Sequence, residues 1–236
     1  MPYFNIIKET RLEDTFRNNN IISTYDLDIK NKLIEEFKGN IEIDENDDWK
    51  IGLIVGGSGT GKTTILNEVF PNTIYKPEYQ QNHSIIDDMP EDKSITEITK
   101  VLSLVGLSTP PLWLKPYHVL SNGEKMRVDL AKILLSENPI TSFDEFTSVV
   151  DRTIAKTTSL AIHKLLNKKE FNKKFIAVSC HHDILEWLQP DWVYNTDTDV
   201  FFLKKTGKNQ NSKYKSIKFL IDLVEEYGHN SVNIII

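Results

Sequence analysis

Gly56-Gly57-Ser58-Gly59-Thr60-Gly61-Lys62-Thr63 has the spacing G-x-x-x-x-G-K-[ST] and follows the apolar run Ile51-Gly52-Leu53-Ile54-Val55. Its glycines let the backbone curl until successive N–H groups face one point. A helix starting near Lys62 adds the positive end of its dipole there. A loop of this kind cradles the phosphates of a nucleoside triphosphate. Lys62 is expected to reach the β- and γ-phosphates. The Thr63 hydroxyl, with Thr64 behind it on the helix, is placed to hold Mg2+.

Phosphate chemistry at such a loop needs a second, acidic element, and Ile140-Thr141-Ser142-Phe143-Asp144-Glu145 supplies two carboxylates at the end of an apolar run. Asp144 is expected to fix the Mg2+ shell, and Glu145 to orient or deprotonate the attacking water.

The elements that must position these groups are readable from periodicity. Ile51–Val55 is a buried strand ending at the loop, and Thr64 to Phe70 continues the helix until Pro71. Thr73-Ile74-Tyr75 is a short strand. Ser94-Ile95-Thr96-Glu97 is a capping box opening a helix through Val105. Asn122 begins a helix with Met126, Leu130, Ile133 and Leu134 at helical spacing. Ile140 to Phe143 is a strand, Asp151 to Leu166 a helix, Phe175 to Ser179 a strand and Ile184 to Leu188 a short helix. This alternation implies an α/β fold with a largely parallel sheet covered on both faces. The first fifty positions alternate short apolar pieces, such as Ile21-Ile22 and Ile41-Glu42-Ile43, with Asn- and Asp-rich turns. They suggest short antiparallel strands, with a brief helix over Leu33 to Phe37.

The chain has 236 residues, a formal net charge of -6 and one cysteine, Cys180. That length suits one large domain. The acidic balance argues against general affinity for a phosphate backbone. A lone cysteine makes no internal disulfide, and the expected setting is reducing and cytoplasmic. No window approaches the roughly twenty apolar residues of a spanning helix, so direct membrane insertion is not expected.

Between the two phosphate elements lies Leu120-Ser121-Asn122-Gly123-Glu124-Lys125, which is similar to the L-S-G-G-Q signature of ABC-type ATPases. Asp144-Glu145-Phe146-Thr147-Ser148 resembles that family's D-E-P-T-S stretch. Ser148-Val149-Val150-Asp151 resembles its D-loop, and Val178-Ser179-Cys180-His181-His182-Asp183 its switch-histidine segment. The resemblance runs from roughly Tyr25 to Asp183. It implies the nucleotide-binding domain of an ABC-type ATPase, with ATP and Mg2+ bound. The implied fold is a P-loop NTPase of the ABC type, with a mostly parallel core sheet, an N-terminal antiparallel β-subdomain and a small helical insert. Residues 1–236 are then one such domain, with the insert at about 82–135 and a basic loop and helix at 204–227.

In the resembling family the signature of one subunit closes over its partner's ATP. The implied assembly is a homodimer with two nucleotides sandwiched between subunits, where Ser121, Gly123 and Asp151 join the nucleotide site. On this chain's own residues, Ser121 also reads as a helix cap in a capping box with Glu124, and a cap that presents N–H groups is an anion site. Asn122 and Glu124 stand where the family has Gly and Gln, placing a side chain and a negative charge near the anion. Phe146 replaces the family's proline, which is expected to loosen the turn after the carboxylates. His181, directly after the strand, is the preferred switch histidine, with His182 as the alternative. Gln81 is preferred over Gln80 for sensing Mg2+ and the γ-phosphate. Tyr25, and next Phe16, is the candidate platform for the adenine.

The expected function is ATP binding and hydrolysis by a soluble ABC-type ATPase that dimerises around two Mg·ATP and drives a conformational change in a protein partner. The stretches Trp113 to Glu124 and Trp187 to Val193 resemble a branch of stand-alone ABC-type ATPases, some joined to a predicted acetyltransferase module. The chain is expected to end before such a module. One alternative is an energy-coupling subunit whose membrane partner is another chain. Another is a regulatory sensor that turns over negligibly. The cluster Lys204-Lys205, Lys208, Lys213, Lys215 and Lys218 is a candidate contact for nucleic acid or an acidic partner.

Overall fold

The structure, a computed structural model, describes residues 3–28, 34–43, 46–168 and 171–203. The lysine cluster, the expected helix at 217–227 and the apolar run at 232–236 lie outside the described residues.

In chain order the elements are β1 (Tyr3–Glu9), α1 (Phe16–Thr24), β2 (Ile34–Asn40), β3 (Ile51–Val55), α2 (Lys62–Val69), α3 (Ile95–Leu104), α4 (Pro110–Trp113), a 3-10 turn (Tyr117–Val119), α5 (Asn122–Leu135), β4 (Ile140–Phe143), α6 (Arg152–Leu166), β5 (Lys174–Ser179), α7 (Ile184–Leu188), β6 (Trp192–Asn195) and β7 (Val200–Leu203). The main sheet has the order β4-β5-β3-β6-β7. Its strands pair in parallel except for β7, which returns antiparallel to β6. The chain therefore has an α/β fold, a mostly parallel sheet with helices on both faces and a separate two-stranded antiparallel sheet.

Alternation along the parallel strands explains why both faces are covered. Ile54, Ile176, Val178 and Tyr194 belong to one core with Phe4, Ile65 and Leu66, on the side of α2 and β1. Leu53, Val55, Phe175, Ala177 and Val193 belong to the other, with residues of α3, α5, α6 and α7. Successive strand residues point to opposite faces, so a strand buried on both sides reads as an unbroken apolar run. All of β3 is buried.

The N-terminal segment departs from the sequence expectation in three ways. Ile21 and Ile22 are not strand but lie in α1, which Thr15 caps by accepting from the Asn18 N–H at 3.2 Å. Residues 34–37 are not helix but the first half of β2, paired antiparallel with β1 from Glu9↔Ile34 to Tyr3↔Asn40. Ile34 and Phe37 flank two consecutive glutamates, and the partner strand decides the state, which local propensity does not see. Ile41 and Ile43 are buried yet lie outside any strand. Thr73-Ile74-Tyr75 forms a single parallel bridge, Ile74↔Ser142, at the outer edge of β4. The hairpin β6–β7 is an element that the sequence reading did not place.

At the foot of the sheet, Trp192 is buried against Trp49, Phe70 and Phe201, with its ring 5.6 Å from that of Trp49 and stacked at 5.7 Å on Phe70. Its N-terminal neighbour Asp191 accepts from the N–H groups of Lys50 and Ile51, at 2.7 and 3.0 Å, where β3 begins. Replacing Trp192 by Ala is expected to cost about 3–5 kcal/mol of stability. A lowered denaturation midpoint at unchanged slope checks this.

Candidate functional site

The carboxyl ends of β3, β5 and β4 come to one edge because their register is shared. Val55 lies opposite Ser179, and Phe143 opposite Ala177. The chain beyond Val55 enters the glycine loop, beyond Phe143 the acid pair, and beyond Ser179 the histidine pair. The sequence-predicted groups of three distant segments thus share the crevice edge where α/β sheets bind ligands.

In the loop, Gly61 adopts φ 81° and stands at the N-cap of α2, where no side chain caps the helix. The leading N–H groups of α2 are thereby left to an anion. A Cβ on Gly61 would lie 2.3 Å from Cε1 of Phe37, so β2 sits directly over the loop and admits no larger residue there. Lys62 is buried, and its ammonium donates to the Gly56 carbonyl at 2.9 Å and to that of Gly57. Ser58 and Gly59 are exposed at the outer curve. Thr64 accepts a hydrogen bond from the Lys8 ammonium of β1.

The Thr63 hydroxyl donates to Asp144 Oδ2 at 2.8 Å, joining the two residues expected to share a cation. Two adjacent oxygen ligands suit Mg2+, which prefers oxygen and usually keeps few protein ligands beside phosphate and water. Among the described residues no group of three or more His, Cys, Asp or Glu could hold a metal. A divalent ion at Thr63 and Asp144 would complete its shell with phosphate oxygens.

After Asp144 the backbone is strained. Glu145 has φ 55° and Thr147 φ 68°, in the left-handed region that side chains other than glycine rarely occupy. Phe146 holds this turn rather than loosening it, which corrects the sequence expectation. Its N–H donates to the Val178 carbonyl at 2.8 Å, a bond proline could not make. Its ring is fully buried edge-on to Phe143 and Phe175. The result turns the Glu145 side chain outward, exposed beside Asp144.

Ser121 and Glu124 form the expected capping box at the start of α5. The Glu124 carboxylate accepts from the Ser121 N–H at 2.8 Å and from its hydroxyl at 2.7 Å. These bonds hold the Glu124 carboxyl below the usual carboxylate range. Gly123 is buried against α6, where a Cβ would come within 2.7 Å of Ile154 Cδ1. Asn122 is turned toward its own chain, donating to the Val149 carbonyl at 3.3 Å. Asp151 caps α6 by accepting from the N–H groups of Thr153 and Ile154, at 2.8 and 3.0 Å. The next residue, Arg152, makes a two-pronged ion pair with Asp183. That pair ties the segment after the D-loop to the histidine segment.

His181 is half-exposed directly beyond β5, its N–H bonded to Ser179 Oγ at 3.1 Å. Gln81 is exposed in a turn, and Gln80 is tied through its N–H to Asp88 at 3.1 Å. No hydrogen bond among the described residues joins either glutamine to the Thr63–Asp144 pair. Tyr25 closes α1 and Phe16 opens it; the two residues are 67% and 83% exposed, outside both cores.

Motif reading missed the β6–β7 turn, which braces the loop from the other side. Asp197 accepts from the Gly57 N–H through both carboxylate oxygens, at 2.8 and 3.0 Å. The Thr196 hydroxyl lies 2.5 Å from that of Thr60, and its N–H donates to the Val55 carbonyl at 2.8 Å. Polar Thr196-Asp197-Thr198-Asp199 between two apolar runs is a hairpin signal, but nothing local says which loop it meets.

No family model matches the chain. A curated relative, the lipoprotein-releasing system ATP-binding protein LolD of Rickettsia conorii, is 27% identical over 172 residues, covering 56% of this chain and 74% of that protein. The probable peptide export ATP-binding protein YydI of Bacillus subtilis is 27% identical over 157 residues, covering 57% of this chain and 71% of that protein. Among solved structures, a dimeric ATP-binding cassette, MJ0796, bound to ADP and phosphate in a post-hydrolysis state superposes with a TM-score of 0.58 at 12% identity, covering 87% of this chain and 99% of that one. The relatives and the fold agree with the phosphate loop, the acid pair and the signature: the chain has the fold of ABC-type ATP-binding cassettes and is similar in sequence to ABC-type ATP-binding proteins.

Proposed function

We propose that two copies of this chain sandwich two Mg·ATP, each nucleotide held by the glycine loop of one copy and covered by Ser121 of the other, and that hydrolysis drives a conformational change in a partner protein. The observation that carries this reading is the Thr63–Asp144 hydrogen bond at 2.8 Å beside the uncapped start of α2. It unites an anion site and a cation site in the way a metal–triphosphate requires.

In this reading Lys62 exchanges its carbonyl partners for the β- and γ-phosphate oxygens. Thr63 and Asp144 would hold Mg2+, which would supply positive charge beside the phosphate. Glu145, aimed outward by the strained turn, accepts the proton of a water attacking the γ-phosphorus in line, and ADP departs with the bridging oxygen. His181 orients the γ-phosphate from the end of β5. Gly123 lets α5 pack closely on α6, and Asp151 steadies the helix beside it. Gln81 senses the metal, and Tyr25 stacks on the adenine.

A membrane-embedded partner is favoured by the relatives, whose names place them in lipoprotein release and peptide export. Among the described residues no helix is long and apolar enough to cross a membrane, so that partner would be another chain. The charge of Glu124, bound to the very Ser121 groups that would face the partner's γ-phosphate, favours slow, regulated closure.

Lys62→Ala is expected to weaken ATP affinity at least tenfold by calorimetry, because the buried ammonium is the loop's only side-chain cation; unchanged affinity would remove the site. Glu145→Gln should keep ATP binding, lower turnover about a hundredfold or more, and accumulate an ATP-dependent dimer by light scattering. Full turnover in that variant takes the general-base role from Glu145. Glu124→Gln removes a negative charge from the covering end of α5 and should tighten the ATP-dependent dimer. A weaker dimer would show that Glu124 promotes closure.

A further inference from the structure

Asp129 is a carboxylate that neither the phosphate loop nor the acid pair uses, and it is 5% exposed on α5, two turns beyond Ser121. Burying an anion is costly unless hydrogen bonds replace its water. Three tyrosine hydroxyls do so here. Tyr79 donates to Oδ1 at 2.8 Å, Tyr75 to Oδ1 at 3.2 Å and Tyr117 to Oδ2 at 2.8 Å. The rings of Tyr79 and Tyr117 stack at 3.8 Å, and the Lys132 ammonium lies 4.5 Å from the Tyr79 centroid while donating to the Glu78 carbonyl at 2.8 Å. Burial pushes the Asp129 carboxyl up, opposed by the three hydroxyls, and burial beside Asp129 pushes all three phenols far above their ordinary value.

These tyrosines come from two separate parts of the chain. Tyr75 follows the Ile74 bridge, and its N–H donates to the Ser142 carbonyl at 2.8 Å, two residues before Asp144. Tyr79 precedes Gln80 and Gln81. Tyr117 lies in the 3-10 turn that leads into Ser121. One carboxylate therefore links the strand carrying the acid pair, the glutamine segment and the approach to the signature helix.

The packing on either side shows why such a link matters. The first turn of α5 rests on α6 through Gly123 and Ile154. On its other side a cleft of about 230 Å³ separates Asn122, Lys125 and Met126 from Asp144, Glu145 and Thr147, with Tyr75, Tyr117 and Asp129 in its wall. Close packing does not set the distance between the signature end and the acid pair across this cleft. The hydroxyl–carboxylate cluster lines it and joins α5, through Tyr75, to the strand that carries the acid pair.

We propose that Asp129 is a positioning residue that, through Tyr75, Tyr79 and Tyr117, holds the Ser121 end of α5 at the spacing from the acid pair needed to cover a second copy's triphosphate. This rests on the ATP-sandwich reading. Asp129 touches no reacting atom and acts only through α5, so its loss should spare nucleotide binding by the glycine loop of the same chain and impair closure between copies.

The test uses Asp129→Asn, with Tyr79→Phe as a second variant that removes one donor and leaves the buried carboxylate two others. ATP affinity of the dilute full chain is measured by calorimetry, and turnover is measured against protein concentration. Each variant should bind ATP as the parent does. The protein concentration giving half-maximal turnover should rise about tenfold, with the plateau at high concentration retained, a shift that general loss of folded protein would not produce. Identical concentration curves for parent and both variants overturn the proposal, as does an equal loss of ATP affinity. A parent whose turnover per chain does not depend on protein concentration, and which forms no dimer with ATP, overturns the sandwich reading instead.

Discussion

The shared register of three parallel strands is the constraint on which the site depends. Because Val55 pairs with Ser179 and Phe143 with Ala177, the glycine loop, the acid pair and the histidine segment must leave the sheet at the same edge. A slip of one residue would turn Leu53 and Val55 away from their core and carry Asp144 out of reach of Thr63, so burial and chemistry specify the same alignment. The hydrogen bond between Thr63 and Asp144 is the visible product of that alignment.

Around this edge the structure keeps unfavourable conformations in place by surrounding them. The loop is held on one side by Phe37 against Gly61 and on another by Asp197 and Thr196 on Gly57 and Thr60. The turn bearing Glu145 has two positive φ angles within three residues and is anchored by the buried ring and N–H of Phe146. Strain of this kind costs about 1–3 kcal/mol per residue and persists only where packing over-determines it. Phe146 shows how a departure from the family's D-E-P-T-S pattern preserves the shape by other means. Proline would preset the backbone, whereas this chain uses a carbonyl partner and an aromatic core.

On the helical side, polar contacts add direction to the apolar packing of α3 and α5. Glu124 satisfies the Ser121 end of α5, and Asp129 ties its middle to the glutamine segment through tyrosine hydroxyls. Buried, fully satisfied polar clusters specify geometry closely, since any other arrangement leaves a charge without partners. A cleft at the start of α5 and a hydrogen-bonded hub farther along leave the signature helix fixed by directional bonds to segments that themselves reach the acid pair.

The residue string by itself determined the phosphate chemistry and most of the elements that carry it. G-x-x-x-x-G-K-T after an apolar run, two acids after another and helix caps at Ser94 and Ser121 are local signals, because backbone conformation and capping act over a few residues. β4 and α7 have the bounds that periodicity predicts. Ile21-Ile22 and residues 34–37 differ from the sequence expectation because their states depend on the Thr15 cap and on a strand partner 25 to 31 residues away. Only the tertiary structure decided that Asp197 grips Gly57 across 140 positions, that Phe146 tightens rather than loosens its turn, and that three tyrosines converge on Asp129. Such contacts arise when sheet order and helix packing bring distant polar groups together in low dielectric, and no local rule of sequence encodes which groups will meet.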